Sequence, residues 1–146
     1  LSRVRCCVVH LRPAGQAQYQ QLNSRQQENY NFQKVSAVMG DYGFSTIRLT
    51  DDWQGADFIA QHIDGQTFLK IQLKGRLHFG KKYVGKSLHI AFRDGDVWYL
   101  LPHDEVLDLV LGATEIANTK SWTEAGAYSW PRLSRQLRAL LTPYRI

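Results

Sequence analysis

The sequence predicts a mixed α/β (α+β) domain in which a largely antiparallel sheet of about five strands is flanked by helices. Three observations carry that expectation. A capped amphipathic segment over residues 25–39 reads as a helix. Two pairs of β-rich runs, joined at Asp64-Gly65 and at Asp94-Gly95, read as hairpins. A C-terminal segment with leucines and arginines at helical spacing reads as a closing helix.

Composition sets the outer bounds. At 146 residues the chain has the length of a single domain, 1–146, able to bury about two-thirds of its unfolded surface. With 44% hydrophobic and 21% charged residues it falls among ordinary globular proteins and outside the disordered and fibrous classes. No apolar run approaches the roughly 20 residues of a membrane span. The opening LSRVRCCVVHLRPAG has too short an apolar part, with arginines too interspersed, for a secretory signal. A cytoplasmic location without a membrane partner is the expectation. Cys6 and Cys7 are adjacent and no Cys/His ligand spacing occurs, so neither a disulfide staple nor a structural zinc is expected.

Taken in order, residues 1–20 form an irregular arm broken by Pro13 and Gly15, with a short strand at Val4 to Leu11. Asn23-Ser24 followed by Gln26-Gln27 has the form of a capping box. The helix it opens carries Phe32, Val35, Val38 and Met39 on one stripe and stops at Gly40 and Gly43. Phe44 to Leu49 is the first strand, and Asp51-Asp52 the turn into the central hairpin.

That hairpin, Gly55 to Arg76, sets the register of everything near it. With Asp64-Gly65 as a two-residue type I′ turn, Ile63 faces Gln66 and Asp57 faces Gln72. Side chains alternate across a strand, so Phe58, Ala60, Leu69, Ile71 and Leu73 share the core face. Asp57, Ile59, Gln61, Lys70, Gln72 and Lys74 share the other, which is expected to be open.

Glycines 75, 80 and 85 then argue for a bent ribbon or flap rather than a helix. Leu88 to Phe92 and Val97 to Leu101 make the second hairpin, and Pro102-His103-Asp104-Glu105 opens a short helix to Leu111. His103 reads as a capping or surface histidine, with a proton shuttle as its functional alternative. Residues 112–130 read as a long polar and aromatic loop. Pro131 is expected at the first position of a terminal helix, 131–142, with Leu133, Leu137, Leu140 and Leu141 inward.

Charge is unevenly spread. Lys70, Lys74, Arg76, Lys81, Lys82, Lys86 and Arg93 lie in one stretch that contains no Asp or Glu, so this stretch alone exceeds the net charge of +5. A solvated loop would look the same. A stretch of this kind is also the footprint of phosphate-backbone binding, which makes Lys70, Arg76, Lys81, Lys82, Lys86 and Arg93 candidate nucleic-acid contacts.

An acid opening one strand, a short hairpin, then Gln72-Leu73-Lys74 on the next strand resembles the PD-(D/E)xK nuclease superfamily, over roughly Ser24 to Pro102. This superfamily includes restriction endonucleases and Holliday-junction resolvases. Ala56 stands where the pattern has Pro, and Gln72 where it has Asp or Glu. The resemblance implies a restriction-endonuclease-like fold, catalytic roles for Glu28, Asp57, Gln72 and Lys74, and a metal held by Glu28, Asp57, Gln72 and the Leu73 carbonyl. Glu28 would be the helix-borne acid; the plainer reading leaves it at the rim of the first turn, beside the positive helix end.

Phosphodiester hydrolysis needs a nucleophilic water, a cation to absorb phosphate charge, and in-line placement of both. Oxygen ligands of this kind suit Mg²⁺ or Mn²⁺. A Mg²⁺-dependent endonuclease acting on DNA, working as a homodimer to cut two strands, is the leading expectation. Phosphate contacts alone do not separate DNA from RNA. A catalytically inactive nucleic-acid-binding module, or an interaction subunit of the same fold, is the alternative.

Overall fold

A computed structural model describes residues 15–146; the expected strand at Val4 to Leu11 and the two cysteines lie outside the described residues. The first helix, α1 (Ser24–Asp41), begins where the capping box places it. Asn23 accepts from the Gln26 amide at 2.9 Å while the Gln26 side chain accepts from the Asn23 amide at 3.0 Å. Two otherwise orphaned N–H groups are thereby satisfied.

A five-stranded sheet follows, with β1 (Phe44–Trp53), β2 (Ala56–His62), β3 (Phe68–Leu73), β5 (Leu88–Asp94) and β6 (Val97–Pro102) arranged in the order β1-β2-β3-β5-β6. All neighbours are antiparallel except β3 and β5. The mixed, largely antiparallel sheet flanked by helices is therefore as the sequence predicts. Two three-residue strands it does not predict, β4 (His78–Gly80) and β7 (Ala127–Ser129), pair into a separate ribbon.

The register of the central hairpin holds: Phe58 pairs with Ile71, Ile59 with Lys70, Ala60 with Leu69 and Gln61 with Phe68. Its turn differs. Only Gly65 takes a positive φ (70°), whereas a type I′ turn needs one at both central residues. The Asp64 carboxylate is what shapes it, accepting from the Gln66 and Thr67 amides at 2.8 Å each and from the Thr67 hydroxyl at 2.6 Å.

The β1–β2 connection is a correction. Asp51 and Asp52 belong to β1, and the turn is Gln54-Gly55, with φ of 54° and 96°. Both values are positive, as type I′ requires. Asp52 Oδ1 accepts from the Gly55 amide at 2.7 Å and locks the turn. Between Arg48 and Trp53 the β1–β2 register shifts, so β1 carries a bulge there before Trp53 pairs again with Ala56.

The sheet is covered on both faces. Phe58, Ala60, Ile71, Ala91 and Trp98 pack under Val35 and Met39 of α1. On the opposite face Ile90, Phe92, Tyr99 and Leu101 meet α2 (His103–Ala113) through Val106, Leu107 and Val110, and α3 (Arg135–Leu141) through Leu137 and Leu141. α3 begins later than Pro131, because Ser134 caps it by accepting from the Leu137 amide at 3.2 Å. Residues 112–130, expected as loop, instead hold a 3₁₀ turn (Ile116–Asn118), a π-helical turn (Ser121–Ala125) and β7. Among the described residues no helix is long and apolar enough to cross a membrane.

Candidate active site

Where β3 ends, the ladder with β2 is completed by a side chain instead of the backbone. Asp57 Oδ2 accepts a hydrogen bond from the Leu73 amide at 2.7 Å, which fixes the carboxylate against the Gln72-Leu73 peptide. Much of the Asp57 side chain is exposed, yet the surrounding protein still strips water from its carboxyl and raises the pKa above the ordinary value. The nearby charges of Glu28 and Asp52 push the same way; the Leu73 hydrogen bond and the Lys74 ammonium oppose them.

Glu28 and Asp57 line one cleft of about 840 Å³ between the start of α1 and the bulged end of β1. Helix and strand thus bring these two acids together across nearly thirty residues of chain. Glu28 is not free, however. Arg48 of β1 binds its carboxylate at 2.6 Å and also holds Asn29. Arg48 gives no signal in the sequence beyond a lone cation on a strand.

Gln72 departs from the expected open face. It is 2% exposed: β5 pairs alongside it at Ile90, making β3 an interior strand, and its amide group and the Tyr83 ring both lie beside Gly55. Tyr83 sits against Gly55, where a Cβ would come within 2.5 Å of the ring and 3.1 Å of Gln72 Nε2. The Gln72 amide oxygen has no hydrogen-bond partner despite being fully buried. An unpartnered buried oxygen costs about 1–3 kcal/mol, so a donor or cation reaching it would be stabilising. Tyr83 is a residue that sequence reasoning missed, since it lies in a glycine-punctuated segment with no periodicity.

Lys74 is partly buried just beyond Leu73, its amide donating to the Ala91 carbonyl at 2.9 Å and its ammonium 5.9 Å from the Tyr83 ring centroid. Of the other cations, Lys70 donates to the Lys86 carbonyl at 2.6 Å, and Arg76 and Lys82 are exposed. The Lys81 ammonium stands 5.2 Å from the Trp122 ring, and the Arg93 guanidinium 4.3 Å from that of Tyr19. Arg93 thereby ties the segment before α1 to the sheet.

The histidines are placed more deeply than expected. His103 is 1% exposed, not on the surface, with Nδ1 at 2.7 Å from Asp104 Oδ1 and its ring edge-on to Phe79. Asp104 in turn accepts from the Gly85 amide at 2.9 Å and pins the loop after Tyr83. His78 Nδ1 lies 2.6 Å from Ser129 Oγ; burial chiefly, with Lys74 and Arg76 adding, holds its pKa below the ordinary value.

Among the described residues no three His, Cys, Asp or Glu side chains converge to hold a metal by themselves. A cation here would draw on one or two carboxylates together with the Gln72 amide oxygen and a main-chain carbonyl, a mixed oxygen set of the kind hard divalent ions accept.

No protein-family profile and no curated protein matches the chain at a significant level. Among solved structures, a bacterial homing endonuclease aligns over 84% of this chain and 86% of its own, with a TM-score of 0.48 and 11% identity. The Holliday junction resolvase of Archaeoglobus fulgidus aligns over 48% of this chain and 74% of its own, with a TM-score of 0.36 and 17% identity.

Proposed function

We propose that the chain is a divalent-metal-dependent endonuclease acting on DNA, with a restriction-endonuclease-like fold and a PD-(D/E)xK-type site in which Gln72 replaces the second acid. The observation that carries this reading is the Asp57 carboxylate fixed at 2.7 Å on the Leu73 amide, beside a buried Gln72 whose amide oxygen lacks any partner.

Asp57, Gln72 Oε1 and the Leu73 carbonyl would hold Mg²⁺ or Mn²⁺, and Glu28 would join them on leaving Arg48. When bound, the ion supplies charge neutralisation at the scissile phosphate and lowers the pKa of water. The chain's own groups do the rest. Asp57, ionised against its raised pKa, orients the attacking water. Lys74 brings an ammonium to the scissile phosphate, where it would offset the charge developing on the phosphate oxygens. Lys70, Arg76, Lys81, Lys82 and Lys86 hold the backbone of the nucleic acid without reading its sequence. A homodimer would place one such site on each strand, and the cytoplasm is the expected location.

The test incubates supercoiled plasmid, linear duplex, a four-way junction and single-stranded RNA with the protein in Mg²⁺ or in chelator. Cleavage of DNA in Mg²⁺ alone, lost in Lys74→Ala while DNA binding persists, supports the assignment. Equal cleavage by Lys74→Ala would exclude it. The ion pair between Glu28 and Arg48 favours a second reading, a catalytically silent DNA-binding module, which salt-dependent binding without turnover on any substrate would identify.

A further inference from the structure

Lys74 is close enough to Asp57 for its charge to act on that carboxyl, and it also borders a separate cleft of about 510 Å³ lined by His78, Lys81, Lys82, Tyr83 and the segment Ala125–Ala127. The cleft is built by the small ribbon. Gly80 of β4 pairs with Ala127 of β7, and the Lys81 amide donates to the Gly126 carbonyl at 2.7 Å. Gly126, with φ of 70°, ends the π-helical turn and carries no side chain into the space.

Two properties of the lining point to one kind of ligand. Three lysines, Lys74, Lys81 and Lys82, line the cleft, and no acidic residue does. The rest of the lining is small, with Gly80, Ala125, Gly126 and Ala127, and the Tyr83 ring, packed against Gly80, supplies an apolar side. A duplex backbone needs only a convex or grooved cationic surface. A recess of this volume, within the range of small-ligand pockets, takes in a base as well as its phosphate.

We propose that this cleft receives a single unpaired nucleotide adjoining the scissile phosphate at Lys74, which makes the substrate a DNA with an extrahelical, flapped or single-stranded nucleotide at the cut. The inference rests on the nuclease reading of the Asp57 site and names its substrate class. An already unpaired nucleotide enters without the cost of breaking a base pair and its stacking, and that saving is the source of selectivity. The lysines contribute the salt-dependent part of the affinity and the recess contributes the preference.

The test measures, by fluorescence anisotropy in chelator, the affinity of the full chain for a labelled duplex and for the same duplex carrying one bulged nucleotide. The expected result is about tenfold tighter binding of the bulged duplex, the scale of one base's contacts. Ala125→Trp, at an exposed position, fills the recess without altering charge and should make the two duplexes bind alike. As a second readout, thymidine 5′-monophosphate should compete with the bulged duplex at concentrations where inorganic phosphate does not. Equal wild-type affinities, or a preference that Ala125→Trp leaves intact, would overturn the proposal. If both duplexes bind equally and salt-dependently, only the nucleotide cleft falls; absence of any salt-dependent binding removes the nuclease reading with it.

Discussion

The carboxylate of Asp57 and the amide of Leu73 meet at 2.7 Å, so a side chain takes the place that a backbone carbonyl would hold in the ladder. This bond orients the acid and lowers its pKa, while burial and the neighbouring acids act more strongly in the other direction. The net shift is upward. Folding therefore favours the protonated form, and the ionised form present at pH 7 opposes folding.

Asp57→Asn should then raise Tm in metal-free buffer at pH 7, where the neutral amide avoids that opposition. The gain should shrink as pH falls through the raised value, where wild-type Asp57 takes up its proton, and be gone below the ordinary carboxyl value near about 4. Mg²⁺ should reverse the order by stabilising wild type alone. Calorimetric scans across pH, with and without Mg²⁺, measure all three effects; a variant that is less stable than wild type in chelator at pH 7 contradicts the account.

Gln72→Glu places the acid usual in the resembled pattern at a buried position. In chelator the new charge should lower Tm, since an unpaired buried carboxylate is costly. Mg²⁺ should then raise Tm by more in the variant than in wild type, because a carboxylate binds the ion more strongly than an amide. An identical metal response in the two proteins would show that no cation reaches residue 72.

The sequence made the central hairpin legible down to its register, because alternation of polar and apolar residues leaves one pairing that buries Phe58, Ala60 and Ile71 together. Local turn chemistry was less legible. Asp64 shapes its turn by side-chain capture of two amides, which the Asp-Gly dipeptide does not distinguish from a type I′ turn. Gln54-Gly55 escaped notice because Gln is an unusual residue at positive φ, and it is held there by Asp52. The burial of Gln72 and His103 depends on a parallel strand and a loop from elsewhere in the chain, and neither leaves a local pattern.

Asp64 offers a separate test of the hairpin. Hydrogen bonds from Thr67 and Gln66 hold its carboxyl well below the usual range, so its contribution is present above about pH 4 and is lost as pH falls through the lowered value. Asp64→Ala should lower Tm at pH 7, and the difference from wild type should narrow in strongly acidic buffer. A difference independent of pH would mean that the hydroxyl or packing, not the charge, sets the turn.

Gly55→Ala combines strain at φ 96° with a Cβ placed 2.5 Å from the Tyr83 ring. The cost should be at least about 1 kcal/mol in urea unfolding. Because the same Cβ would also come within 3.1 Å of Gln72 Nε2, the variant should lose part of its Mg²⁺-induced rise in Tm. Full retention of both quantities would remove Tyr83 and Gly55 from the account of the site.

The parallel join between β3 and β5 also orders events in time. Each flanking hairpin is closed by a few residues of turn, whereas β5 reaches β3 only after the chain has looped through residues 74–87. Long closures of this type are slow relative to hairpin formation. Gln72 and Lys74 receive their partners, Ile90 and the Ala91 carbonyl, across that join. Competence to bind a cation should therefore trail the recovery of β-sheet signal during refolding, making the site the last part of the molecule to mature.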